Sequence, residues 1–186
     1  MIHNATNPRA QLYFVADSSF AAFDFLSSLR QMSSPVYIIS RLRLDAQLWQ
    51  PAPSRQSKQI GRPRIIGPRL PSLKSILDDL DTCWETAILA DWYGQSDYPL
   101  EFTSNTAVWH KTGMPPVPIR WVLVRASQGQ HQSQALLCTD LDITPLEILD
   151  NPGRWRLLLR RLGHILAFKL RSSGPIKPYF APLRLC

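Results

Sequence analysis

Asp17 is the first residue of this 186-residue chain placed where chemistry is usually done. It follows the run Leu12-Tyr13-Phe14-Val15-Ala16, which is short, apolar and partly β-branched, as a buried strand should be. Open α/β sheets place their sites at the carboxyl ends of such strands. A carboxylate there can hold a divalent metal for phosphoryl transfer. That chemistry needs several carboxylates from different elements, holding two Mg2+ or Mn2+ ions about 4 Å apart. The competing reading is a helix N-cap, because Ser18, Ser19 and an apolar helical stripe follow. On local sequence the cap is favoured, since Asp is a common N-cap.

Other side chains offer less. Gly61-Arg62-Pro63-Arg64 is similar to the core of an AT-hook, in which an extended Arg-Pro pair lies in the narrow minor groove of A·T-rich DNA. A solvated basic loop that contacts phosphates is the plainer reading. Asp78, Asp79 and Asp81 lack the alternating ligands and Gly of a calcium loop and read as a solvated face. His110 and His131 have no partner at a ligand or triad spacing. The cysteines, Cys83, Cys138 and Cys186, are far apart with no Cys-x-x-Cys pair, which argues against zinc and against a disulfide framework. Reduced thiols are expected, with Cys83 and Cys138 in the core.

The elements that must position these residues are legible in part. Phe20, Phe23, Leu26 and Leu29 form one stripe of a helix over 20–30, and Val36-Tyr37-Ile38-Ile39-Ser40 is a second apolar strand. Strand, helix, strand at this size is a βαβ-like unit. From Trp49 to Pro71, prolines and glycines interrupt a run of Arg and Lys, which predicts an exposed loop. Leu73–Leu80 suits a short helix or a turn. Strands are expected within 82–93, 100–109, 118–125 and 135–139, with turns at Gly94–Asp97 and Gly113–Pro116. Thr144 and Pro145 suit the cap and first position of a helix. The chain carries 16 Pro, which also excludes an all-helical bundle.

A net charge of +7 favours a polyanionic partner, and leaves DNA, RNA and an acidic membrane surface open. A hydrophobic fraction of 45% is enough for a core. No apolar run reaches membrane-spanning length, and Met1–Ala10 has no signal pattern, so a cytoplasmic protein is expected. From Asn151 onward there are eight Arg or Lys and no Asp or Glu. Such a tail either binds nucleic acid or is a poorly folded terminus.

The run from Leu12 to Phe20 resembles the segment around the second catalytic Asp of bacterial insertion-sequence transposases of the DDE superfamily, which have a ribonuclease H-like domain. The segments Val36–Arg43, Gly61–Arg64, Trp92–Gly94, Pro118–Arg125, Leu137–Leu141 and Pro145–Leu149 are similar to the family in the same order. The resemblance covers roughly residues 11 to 150. It implies an α/β (α+β) chain: an unstructured arm over 1–10, a partial ribonuclease H-like domain over 11–150 with a β-rich insertion at about 72–140, and a basic tail over 151–186. It raises Asp17 to catalytic metal ligand for Mg2+ or Mn2+, and makes transposon-end DNA the partner, with room for a homo-oligomer and no membrane. Arg41, Arg43, Arg62, Arg64, Arg120, Arg154 and Arg156 are the DNA-facing residues it implies.

Two departures matter. The family's first catalytic Asp belongs well upstream of Asp17, yet Met1–Ala10 contains no Asp. At the other end the family pattern is Arg-Trp-Arg-aliphatic-Glu, whereas this chain reads Arg154-Trp155-Arg156-Leu157-Leu158 after Asn151-Pro152-Gly153. A frameshift near this point would produce such a tail. One carboxylate instead of three predicts weak metal binding and no strand cleavage. A ribonuclease H-like sheet without its first strands is also expected to expose an apolar edge and uncovered faces.

Overall fold

The computed structural model describes residues 11–16, 18, 21–32, 36–54, 60–90, 92, 95–126, 132–150, 167–171 and 184–185. Strand β1 (Gln11–Ala16) leads through helix α1 (Phe23–Leu29) to β2 (Val36–Leu42). The two strands are parallel, with Tyr13 opposite Tyr37 and Ala16 opposite Ser40. This is the expected βαβ unit. Its helix starts later than the apolar stripe predicts: the N-cap is Ala22, which makes no side-chain cap bond. The cap of α1 is therefore not Asp17, which itself lies outside the described residues.

After β2 come β3 (Leu48–Trp49), helix α2 (Leu73–Asp78), β4 (Trp84–Leu89), β5 (Tyr98–Trp109), β6 (Val117–Ala126) and β7 (Gln134–Cys138). These strands pair antiparallel. β7 closes the insertion by pairing antiparallel with β2, Cys138 opposite Ile39. A helix, α3, spans 145–150. Strands β8 (Ala167–Arg171) and β9 (Arg184–Leu185) complete a nine-stranded sheet of order β8-β1-β2-β7-β6-β5-β4-β9, with β3 beside β5. The chain is thus mixed α/β, rich in strand and poor in helix.

Side chains alternate across the sheet, as the two-residue strand period requires. Tyr13, Val15, Ile39, Phe102, Val122, Val124, Leu136 and Cys138 pack on one face, with Ile143, Ile148 and Leu149 from and around α3. Ile38, Leu42, Ile119, Trp121, Leu123, Ala135 and Leu137 pack on the other, with Phe23 and Leu26 of α1 and Leu73 of α2. Both faces are buried, which is why β6 and β7 read as almost continuous apolar runs rather than alternating ones. Among the described residues, the edge of β1 that a truncated sheet was expected to expose is covered. The outer edge of β1 is paired antiparallel by β8, with Phe14 opposite Phe168. β8 falls within the segment read as a basic tail, although Phe168 and Leu170 alternate with Lys169 and Arg171 at the strand period.

Cys83 is disulfide-bonded, its partner lying outside the described residues. This corrects the expectation of reduced thiols: spacing along the chain does not reveal which cysteines meet in space. Cys138 is free and buried, as expected, whereas Cys83 is exposed rather than in the core. Among the described residues, no helix is long and apolar enough to cross a membrane.

Candidate nucleic-acid interface

The parallel register sets the two ends of the sheet. β1 ends at Ala16 opposite Ser40, and Arg41 follows in β2. Asp17, Arg154 and Arg156 lie outside the described residues. Arg41 is exposed and has no ionic or hydrogen-bond partner among the described residues. Arg43, on the same side of the strand, grips Asp45 through two bonds, Nε to Oδ1 at 2.8 Å and NH2 to Oδ2 at 2.6 Å. These hydrogen bonds raise the Arg43 pKa and lower that of Asp45. The pair is exposed, so it adds little stability, and the carboxylate offsets the positive charge of Arg43. The backbone N–H of Lys74 donates to Leu44 O at 3.1 Å, which sets the first turn of α2 beside the exit of β2.

A second basic feature is the arm between β3 and α2. Its neck is closed by backbone bonds: Gly67 N–H to Gln50 O at 2.8 Å, Gln50 N–H to Pro68 O at 2.8 Å and Leu70 N–H to Leu48 O at 2.9 Å. Trp49 and Arg69 form a further antiparallel bridge. Gly67 is required at this point: a Cβ would lie 2.5 Å from Pro51 O, a backbone atom that cannot rotate away. Beyond the neck, Arg62, Pro63 and Arg64 are exposed. Neither arginine has a partner among the described residues.

The opposite end of the sheet holds carboxylates that the sequence reading passed over. Because β7 runs against β1 and β2, the chain beyond Cys138 emerges at their amino ends. There Asp140 is 3% exposed and accepts a hydrogen bond from the Tyr13 hydroxyl. Its other oxygen accepts the Asp142 N–H at 3.0 Å. Tyr13 stacks on Tyr37 with ring centroids 5.3 Å apart. Burial, then Asp140 and Asp142, push the Tyr37 pKa up. A cleft of about 380 Å³ opens here between Met32, Tyr37, Asp140 and Asp142. Thr144 and Glu147 then form a capping box at the start of α3: Thr144 N–H donates to Glu147 Oε2 at 2.9 Å, and Glu147 N–H to Thr144 Oγ1 at 3.3 Å. The sequence signal for this turn was Asp140-Leu141-Asp142 before Thr-Pro, since Asp side chains bond backbone N–H groups two residues on.

The arginines are therefore in separate places. Arg41 and Arg43 lie at the exit of β2, and Arg62 and Arg64 on the arm. Arg120 stands opposite Cys138 on β6 and donates through both Nε and NH2 to Leu141 O, at 3.0 and 2.7 Å. That bond ties Arg120 to the Asp140 end and gives it a structural task. Arg125, near the far end of β6, binds Glu101 at 2.7 Å and covers the Trp84 ring at 4.1 Å.

A two-metal centre does not fit the described residues at the end of β1. Beyond Ser40 the neighbouring strand offers Arg41 rather than a carboxylate, and Leu42 faces Ala135 of β7. Asp140 and Asp142 lie at the other end of the strands. No group of three His, Cys, Asp or Glu among the described residues is placed to hold a metal.

The chain matches no protein-family model, no curated protein and no solved structure.

Proposed function

We propose that this chain is a fragment of a DDE transposase with a partial ribonuclease H-like fold, which binds DNA and does not cut it. The observation that carries the reading is the order of elements. Strand β1 of a parallel β1-α1-β2 unit ends one residue before Asp17, and the unit is followed by an antiparallel insertion. That insertion continues the same sheet through β7 and delivers the chain to a capped helix. The order agrees with the family's second Asp, β-rich insertion and Glu-bearing helix.

Geometry gives the missing Glu a meaning. A helix running unbroken from 145 would be about 20 Å long at 158. Six strand residues also span about 20 Å. In an intact relative such a helix would return from the Asp140 end to the end of β1, where Asp17 follows. Here Leu158 stands at that position, and Pro152 would remove a helical hydrogen bond and clash with the preceding turn. With no second carboxylate described near the end of β1, metal-assisted cleavage has no support. The exposed cations Arg41, Arg62, Arg64, Arg69 and Lys74 remain to meet phosphates. A DNA partner of this kind implies a cytoplasmic location. The disulfide at Cys83 sits badly with that, because cytosolic thiols are held reduced.

The test is fluorescence anisotropy of the full chain on labelled duplex DNA between about 50 and 200 mM salt, with a parallel plasmid-nicking assay in Mg2+ and Mn2+. Four or five phosphate contacts predict a slope of roughly −4 in log affinity against log salt. No nicking above background is expected. Absence of binding at the lowest salt would sink the DNA-binding reading. Mg2+-dependent nicking that vanishes in Asp17→Asn would overturn the claim of inactivity.

A further inference from the structure

We propose that residues 60–66 form a minor-groove arm that selects A·T-rich duplex DNA through Arg62 and Arg64. The inference rests on the DNA-binding reading above and deepens it by naming the groove and the sequence class.

The arm is built rather than merely exposed. Its neck is closed by backbone bonds between Gln50 and both Gly67 and Pro68, and the neck tolerates no side chain at 67. Those bonds fix where the arm leaves the protein, which lowers the ordering cost of docking it. Within it, Gly61 has φ of +110° with nothing within 4 Å of a notional Cβ. That backbone region suits glycine and turns the chain just before Arg62. Pro63 then fixes its own φ and disfavours a helical Arg62, so the Arg62-Pro63 step is held extended before any DNA arrives.

The chemistry selects the groove. Several arginines are occupied: Arg43 holds Asp45, Arg120 holds Leu141 O and Arg125 holds Glu101, while Arg41 and Arg69 are exposed with no side-chain partner among the described residues. Arg62 and Arg64 likewise have none among the described residues, and both are exposed. A guanidinium is donor-only. The minor groove of A·T pairs shows only the acceptors of adenine N3 and thymine O2, whereas G·C pairs add the guanine amino donor. Two donor groups on a thin extended segment therefore meet acceptors in A·T sequence and an opposing donor in G·C sequence. The narrow groove of A-tracts also carries the more negative potential, which draws arginine. Ile60, 99% exposed, and Ile65, 49% exposed, flank the pair. Minor-groove proteins press such apolar side chains against the groove.

The experiment compares anisotropy titrations of the full chain on an A·T-tract duplex and a G·C duplex of equal length. The proteins are wild type, Arg62→Ala/Arg64→Ala and Arg41→Ala. Thermal unfolding confirms that each variant is folded. Wild type should prefer the A·T duplex by about tenfold or more, the scale of one good base-edge contact. A minor-groove ligand should compete. The double variant should lose the preference while still binding the G·C duplex, and Arg41→Ala should weaken both duplexes alike. Equal wild-type affinity for the two duplexes would overturn the arm proposal and leave the DNA-binding reading standing. A preference that survives in the double variant would also overturn it. Binding to neither duplex would remove both.

Discussion

Replacing Tyr13 by Phe removes one hydroxyl from the centre of the sheet's carboxylate end, and its cost can be worked from the structure. The Tyr13 ring is 3% exposed and stacks on Tyr37, and Phe keeps that packing. What is lost is the hydrogen bond to Asp140, also 3% exposed. Asp140 retains the Asp142 N–H on Oδ1, so one carboxylate oxygen loses this donor in a buried site. A hydrogen bond to a charged group contributes about 1.5–3 kcal/mol, and the loss should fall in that range. For a chain of this size each kcal/mol lowers Tm by roughly 2–4 °C, which gives a fall of about 3–12 °C. Thermal unfolding followed by circular dichroism at neutral pH is the assay, with urea midpoints as a second measure. A cycle with Asp140→Ala, which leaves no partner atom for the Tyr13 hydroxyl, isolates the pair. The double variant should be more stable than the sum of the singles implies, because each single change strands the other's buried group. A Tm for Tyr13→Phe within about a degree of wild type, or singles that simply add, would refute the claim that this bond joins β1 to the turn after β7.

Two further outcomes follow from buried groups. Burial pushes the Cys138 thiol up to about 12, from an ordinary value of 9.0. The folded state therefore holds this proton more tightly than the unfolded one. The stability involved is complete below pH 9 and is lost as pH climbs from 9 to 12. It amounts to roughly 4 kcal/mol. Urea midpoints should fall more steeply over that range in wild type than in Cys138→Ala, and parallel profiles would contradict this. Gly67→Ala drives a Cβ to 2.5 Å from Pro51 O and should cost about 1–3 kcal/mol. Limited proteolysis should cut the arm faster in this variant, and an unchanged midpoint and cleavage rate would show that the neck yields easily.

The elements whose signal is local could be read from the chain. The apolar run of β1, the stripe carrying Phe23 and Leu26, and the run of β2 gave strand, helix and strand directly. Thr144 was legible as a cap because capping is decided within one helical turn, and it acts as one. The loop from Trp49 to Pro71 was legible as an exposed arm, since proline and glycine interrupt every regular pattern. The start of α1 was not: Asp17, Ser18 and Ser19 looked like caps, but the helix begins at Phe23 once Phe23 and Leu26 find the sheet. Packing outranks a favourable cap.

Sequence alone therefore determined the kind of the longer elements from β1 to α3, the basic charge of the arm and the candidate chemistry of Asp17, because these depend on neighbours in the chain. Only the tertiary structure decided which end of the sheet each charged group occupies. Asp140 lies opposite the exit of Arg41 because β7 runs antiparallel to β2, a choice made by pairing across about a hundred residues. The same long-range pairing placed β8 on the edge of β1 and tied Arg120 to Leu141. It also brought Gly67 against Pro51, turning a run of loop residues into an arm with a fixed neck. Such contacts depend on strand order and register, which a single chain's local pattern does not encode.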